Sequence, residues 1–190
     1  GGIPDYTEAK ALQLDSLYKN RNISNILTVN RKLFKSGVLK EFSKIHGCCS
    51  IADRSNWDIT KVRYYHDGES YDPHVDASMQ FLAFSYFHKE PKKFDGGKLI
   101  FPDYGLDLPC DNNSMVIFPG WVRHGVEKVS ILNSDYYDGY GRYAITSFFG
   151  SQDRSIRNNN RKKNKKKVCC HSGCSDCPFE EGLDKSVKTL

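Results

Sequence analysis

Two textures divide the chain. Over residues 7–46 apolar positions recur at roughly helical spacing: Ala9, Leu12, Leu14 and Leu17 follow Thr7. Thr7 is a residue type that caps helix N-termini, although Lys10 and not Glu stands at the capping-box position. A second helical stretch is expected over Leu33–Ile45, interrupted by Gly37. From Thr60 to Gly150 short aromatic and β-branched runs are separated by turn signals: Asp67-Gly68, Asp95-Gly96-Gly97, Asp111-Asn112-Asn113, Pro119-Gly120 and Asp138-Gly139. That is the pattern of an all-β sandwich or barrel, with strands expected near 60–66, 71–76, 79–88, 97–102, 114–118, 123–129 and 141–149. After Gly150 the apolar positions thin out, and residues 157–167 read RNNNRKKNKKK, a low-complexity solvated linker. The expected organisation is a helical support region (1–59) and a β core (60–150) in one domain, a basic linker (151–167) and a Cys-rich tail (168–190). There is no internal repeat.

Composition narrows the class. A chain of 190 residues can bury a real core without staples, and its 27% charged fraction is too ordinary for global disorder. The net charge of +5 invites a nucleic-acid reading, but its distribution does not. Residues 1–153 are nearly neutral, with 18 basic and 19 acidic side chains, whereas the eight basic residues between Arg154 and Lys167 face no acid. No apolar run approaches the ~18 residues of a membrane span. The start, Gly1-Gly2-Ile3-Pro4-Asp5, has no signal-peptide core and no Met, and reads as a trimmed or internal beginning. Seven cysteines without a secretion signal favour a reducing compartment over a disulfide scaffold. The expected location is therefore the cytoplasm or another reducing compartment, the nucleus included.

The β region carries the chemistry. In Tyr71-Asp72-Pro73-His74-Val75-Asp76, residues i and i+2 of a strand point to one face, so His74 and Asp76 can aim at one point. An imidazole and a carboxylate so placed supply two ligands of a facial triad for non-haem Fe(II). The third must be a distant histidine, and His124 lies 48 residues beyond Asp76. A lone His-x-Asp also occurs by chance, and His88-Lys89-Glu90 is a near-duplicate that reads as a surface histidine entering a Lys/Pro-rich loop. His46 and His66 have no partner pattern. The last expected strand, Gly141–Phe149, puts Arg142, Ala144, Thr146 and Phe148 on one face. An arginine leading such a face is costly to bury unless a carboxylate pairs with it.

Taken together, YYHDGESYDPHVD (64–76), FDGGKLIFP (94–102), SMVIFPGWVRHGV (114–126) and GRYAITSFF (141–149) resemble the successive motifs of Fe(II)/2-oxoglutarate-dependent dioxygenases. The resemblance is greatest to the prolyl-hydroxylase group. It implies a double-stranded β-helix (jelly roll), mainly β with N-terminal helices packed on one sheet. It implies that His74, Asp76 and His124 hold iron and that Arg142 binds the far carboxylate of 2-oxoglutarate. Tyr86 would help hold that carboxylate, Tyr65 would stand near the co-substrate, and Thr146 would complete the 2-oxoglutarate residues. The cofactors implied are Fe(II) and 2-oxoglutarate, with ascorbate as an optional addition and O2 as co-substrate. One departure is a longer spacing of 18 residues between His124 and Arg142, which looks like a loop at Leu132–Tyr140.

The expected activity is hydroxylation of a prolyl residue in a protein or peptide. Other amino-acid residues and nucleobases are alternative substrates, though the neutral body argues against a nucleobase. The loops Asp67–Tyr71, Lys89–Gly96 and Leu132–Tyr140 are expected to rim the entrance. In the tail, Cys174-x-x-Cys177 has zinc-knuckle spacing, and Cys169 or Cys170 with His171 would complete four ligands for Zn. The basic linker would suit an acidic partner or nucleic acid. A reading from a different class is a non-catalytic jelly-roll binding module working through the basic, Cys-rich tail.

Overall fold

In the computed structural model, which describes residues 9–18, 20, 23–34 and 37–152, the described residues form three antiparallel sheets. The basic linker beyond Gln152 and the tail with Cys169, Cys170, His171, Cys174 and Cys177 lie outside the described residues. The largest sheet runs β1 (Lys10–Gln13), β2 (Trp57–Tyr65), β11 (Arg142–Gly150), β4 (Phe81–Phe87), β8 (Ser114–Pro119). The second runs β3 (Tyr71–His74), β9 (His124–Val126), β6 (Leu99–Phe101), β7 (Leu106–Leu108). A two-stranded ribbon joins β5 (Phe94–Gly96) to β10 (Val129–Ile131). This is a double-stranded β-helix, mostly β with few helices.

Strand alternation divides the core in two. In β4, Leu82, Phe84 and Tyr86 join a cluster with Leu99, Phe101 and Val126 of the second sheet. Phe81 and Ala83, pointing the other way, join Phe149 of β11 with Leu33, Leu39 and Ala52 of the N-terminal segment. β4 therefore reads as an almost continuous apolar run, because both faces of its sheet are covered. Phe81 and Phe149 stack with ring centroids 4.3 Å apart. Among the polar residues buried on the outer face is Asn30, whose amide donates to the carbonyls of Ala83 and Ile145, each at 3.0 Å, while Ser85 donates to its Oδ1 at 2.5 Å.

The N-terminal third departs from its periodicity. Lys10–Gln13 is a strand, not a helix: it pairs with Lys61–Tyr64 and extends the large sheet. Leu12 and Leu17 are exposed and only Leu14 is buried, so the apolar spacing does not mark one buried face. α1 (Leu14–Leu17) is a single turn. α2 (Val38–Ile45) begins only after Gly37, which takes φ +70°, so the second helix does not run from Leu33. Asn25–Leu27, Asn30–Phe34 and Gly47–Arg54 are 3-10 turns. No helix among the described residues is long and apolar enough to cross a membrane.

Candidate functional site

β3 and β9 pair so that His74 faces His124, with a register shift between Tyr71 and His74. β3 ends at His74, so Asp76 lies past the strand and not on it as the alternation predicts. The carboxylate still converges. Asp76 Oδ2 lies 3.9 Å from His74 Nε2 and 3.7 Å from His124 Nε2. One ligand atom from each of the three residues falls within 4.8 Å of the others, a spacing a single metal ion can bridge. The Asp76 amide donates to the Gly120 carbonyl, which ties the turn after β3 to the loop leading into β9.

Both imidazoles are oriented by backbone. His74 Nδ1 donates to the Asp72 carbonyl at 2.8 Å and His124 Nδ1 to the Val122 carbonyl at 2.9 Å, which leaves each Nε2 as the free lone pair. Burial pushes His124 down to about 4, against the opposing pull of its bond to Val122, so the ring is neutral near pH 7. Tyr71 stacks on His74 with centroids 4.0 Å apart, and Phe118 meets His124 edge-on at 4.7 Å. The two rings are thus fixed before any ion arrives.

The same pocket contains the start of β11. Arg142 is 2% exposed, and its Nε and Nη2 have no hydrogen-bond partner. Its guanidinium carbon lies 4.8 Å from the Tyr65 ring and 4.9 Å from the Tyr86 ring, between two aromatic faces. The Tyr86 hydroxyl is also buried, beside the guanidinium but with no well-formed hydrogen bond. Burial holds that phenol well above its ordinary range, with the Arg142 charge pulling the other way. Gly97 makes room for the arginine: a Cβ there would stand 2.8 Å from Arg142 Cδ, and its φ of +72° already excludes most side chains. Unpaired donors this deep suit a planar anion such as a carboxylate. Thr146 also lines the pocket, its hydroxyl donating to the Lys61 carbonyl at 3.3 Å.

The structure thus brings His74, Asp76, His124, Arg142, Tyr65 and Thr146 into one pocket, with Tyr86 against Arg142. His88 is not the surface histidine its loop suggests. Its side chain is 6% exposed, packed edge-on against Phe94 at 5.7 Å, with Nδ1 3.6 Å from Glu90 Oε1. The three loops expected to rim the entrance are stitched to one another: Tyr136 donates to Asp67 at 2.5 Å, and Lys93 pairs with Asp135 at 2.6 Å. Of their side chains only Tyr71 lines the pocket. Lys61 and Arg63, which the reading of motifs passes over, line it too. Their signal was the two-residue spacing that puts 61, 63 and 65 on one face of β2.

Comparison with known proteins agrees with this geometry. The family model of the 2OG-Fe(II) oxygenase superfamily matches residues 60–150. A prolyl-4-hydroxylase from Pseudomonas putida superposes with a TM-score of 0.50 at 14% identity, covering 78% of this chain and 74% of that one. The viral collagen prolyl hydroxylase of Paramecium bursaria Chlorella virus-1, solved with 2OG, gives a TM-score of 0.48 at 13% identity, covering 79% and 82%. No curated protein matches the chain. The family match spans all the strands that carry the His-Asp-His cluster and the buried arginine, and the chain therefore carries, over residues 60–150, a domain of the 2OG-Fe(II) oxygenase superfamily.

Proposed function

We propose that the protein is an Fe(II)- and 2-oxoglutarate-dependent dioxygenase that hydroxylates a prolyl residue in a protein or peptide. In this reading His74, Asp76 and His124 hold the iron, and Arg142 and Tyr86 receive the distal carboxylate of 2-oxoglutarate. Tyr65 and Thr146 line the co-substrate's path. The observation that carries the reading is Arg142: a buried guanidinium with two unpaired nitrogens, lining the same pocket as a His-Asp-His cluster. A metal site alone would leave that charge unexplained. A dicarboxylate bridging the two ends explains both.

Fe(II) and 2-oxoglutarate, held by these residues, would supply the oxidising chemistry. The chain supplies position. The Nδ1 bonds of His74 and His124 keep both imidazoles in the ligand tautomer. Arg142 offers a fork of donors at fixed depth, and the Tyr65 and Tyr86 rings on either side keep that end dry. The prolyl part rests on the likeness of the 64–76 and 141–149 motifs to prolyl hydroxylases. The Pseudomonas putida neighbour shares the fold that such an enzyme needs.

Anaerobic titration of the protein with Fe(II) and 2-oxoglutarate tests the cofactors. A weak visible charge-transfer band that saturates with 2-oxoglutarate is expected, and its absence would overturn the assignment. Incubation with proline-containing peptides, followed by mass spectrometry, tests the substrate. A gain of one oxygen on proline supports the finer reading, and oxygen found only on another residue replaces it.

A further inference from the structure

Arg142 is not the only cation in the pocket. Lys61, Arg63 and Tyr65 share one face of β2, and across the ladder they stand opposite Thr146, Ala144 and Arg142. Arg63 thus sits over the small side chain of Ala144, one pleat from Arg142 on one side and from Lys61 on the other. It is 9% exposed, and its Nη1 is buried with no hydrogen-bond partner. Its guanidinium carbon lies 4.9 Å from the Tyr71 ring, a contact that stabilises the charge without neutralising it. Lys61 lies 4.9 Å over the Phe148 ring. Burial holds its ammonium below the ordinary range, and the like charge of Arg63 pushes it further, with Asp76 opposing.

Charge counting gives these side chains a use. Among the pocket-lining residues three cations, Lys61, Arg63 and Arg142, face one carboxylate, Asp76. Fe(II) adds two positive charges and 2-oxoglutarate removes two. An excess of two positive charges is left after both have bound, with Arg63 and Arg142 buried and Lys61 half-buried. Unneutralised charges held that close are costly, and a further anion relieves the cost.

We propose that Arg63, assisted by Lys61, forms a second carboxylate-binding subsite in the pocket, separate from the Arg142 end. The proposal rests on the oxygenase reading above. Two carboxylates could fill the subsite: the metal-proximal carboxylate of 2-oxoglutarate, or an acidic group of the primary substrate. The charge left after co-substrate binding favours the second.

The test uses the anaerobic Fe(II) protein and follows its charge-transfer band. Affinity is first measured for 2-oxoglutarate. At saturating 2-oxoglutarate, perturbation of the band is then titrated with N-acetylproline and with N-acetylprolinamide, which differ by one negative charge. The expected result is an affinity about tenfold or more higher for the carboxylate probe. That preference should vanish in Arg63→Leu, shrink in Lys61→Met and partly return in Arg63→Lys, which keeps the charge if Arg63→Leu disturbs the fold. A preference absent from the start, with 2-oxoglutarate affinity falling about tenfold or more in Arg63→Leu and recovering in Arg63→Lys, supports the subsite and assigns it to the co-substrate. No charge preference together with unchanged 2-oxoglutarate affinity in Arg63→Leu and Lys61→Met overturns the proposal. No band with 2-oxoglutarate in the unaltered protein overturns the oxygenase reading and this one with it.

Discussion

The backbone N–H of Asp76 donates to the carbonyl of Gly120 across 2.8 Å. A Cβ on Gly120 would stand 2.8 Å from the Asp76 carbonyl oxygen and 2.4 Å from that of Met79. Only glycine allows this approach, and the approach sets where Asp76 lies relative to His124, four residues further along. Gly120→Ala is expected to force the two turns apart and to weaken Fe(II) binding by about 10- to 100-fold. Competition with a chromophoric chelator measures it. An unchanged affinity would mean that Asp76 is placed by some other contact.

Asp76 is the carboxylate of the cluster, and its loss leaves two histidines facing each other. Asp76→Ala should lower 2-oxoglutarate-dependent succinate formation by at least ~100-fold, the upper range for disturbing a metal's surroundings. Glu90 provides the control, since His88-Lys89-Glu90 has the same spacing but belongs to no metal cluster among the described residues. Glu90→Ala should leave succinate formation unchanged. Continued turnover by Asp76→Ala would remove the carboxylate from the proposed ligand set.

Arg142 gives a prediction with an unusual sign. Its Nε and Nη2 are buried and unpaired, so without a bound carboxylate the charge destabilises the fold. Arg142→Leu is expected to hold or raise the thermal midpoint of the metal-free protein. It should also abolish the rise in midpoint that 2-oxoglutarate produces in the Fe(II) form. A large fall in the metal-free midpoint would show that Arg142 serves chiefly as a structural residue between Tyr65 and Tyr86.

How legible these features were depended on whether the signal was local. The His-x-Asp pair, the alternating face of Arg142 and each turn dipeptide are signals carried by residues a few positions apart, so each is visible in the sequence by itself. Lys10–Gln13 could not be read in the same way. Its strand pairs with Lys61–Tyr64, about fifty residues away, and the helical spacing of Leu12 and Leu17 is incidental, since both side chains are exposed. Asp76 reached the right place for a different reason than alternation suggests. The strand stops at His74, and the bond to Gly120 turns the chain back. Lys61 and Arg63 give no such signal, because charged residues alternating along a strand ordinarily mark a solvent face. Here the polar face of β2 is the wall of the pocket.

The pH dependence of stability has a separate origin in the loop pair that joins Asp67 to Leu132–Tyr140. The Tyr136 hydroxyl donates to Asp67 Oδ2 at 2.5 Å and the Ile131 amide to Oδ1 at 2.7 Å. Chiefly through Tyr136, and then Ile131, these bonds hold the Asp67 carboxyl below its ordinary range. The same carboxylate raises the Tyr136 phenol. A carboxyl with a depressed folded-state pKa contributes stability above its unfolded value, near ~3.9, and loses it as pH falls through the lower folded value. A raised phenol contributes below its unfolded value, near ~10, and loses that as pH climbs through the folded one. Tyr136→Phe should therefore lower the urea midpoint throughout pH 5 to 9, with the gap to the unaltered protein closing below about pH 4 and again above about pH 10. A gap that persists unchanged into acid would show that the substitution acts through packing of the ring, which lies 4.9 Å from that of His66, and not through the bond to Asp67.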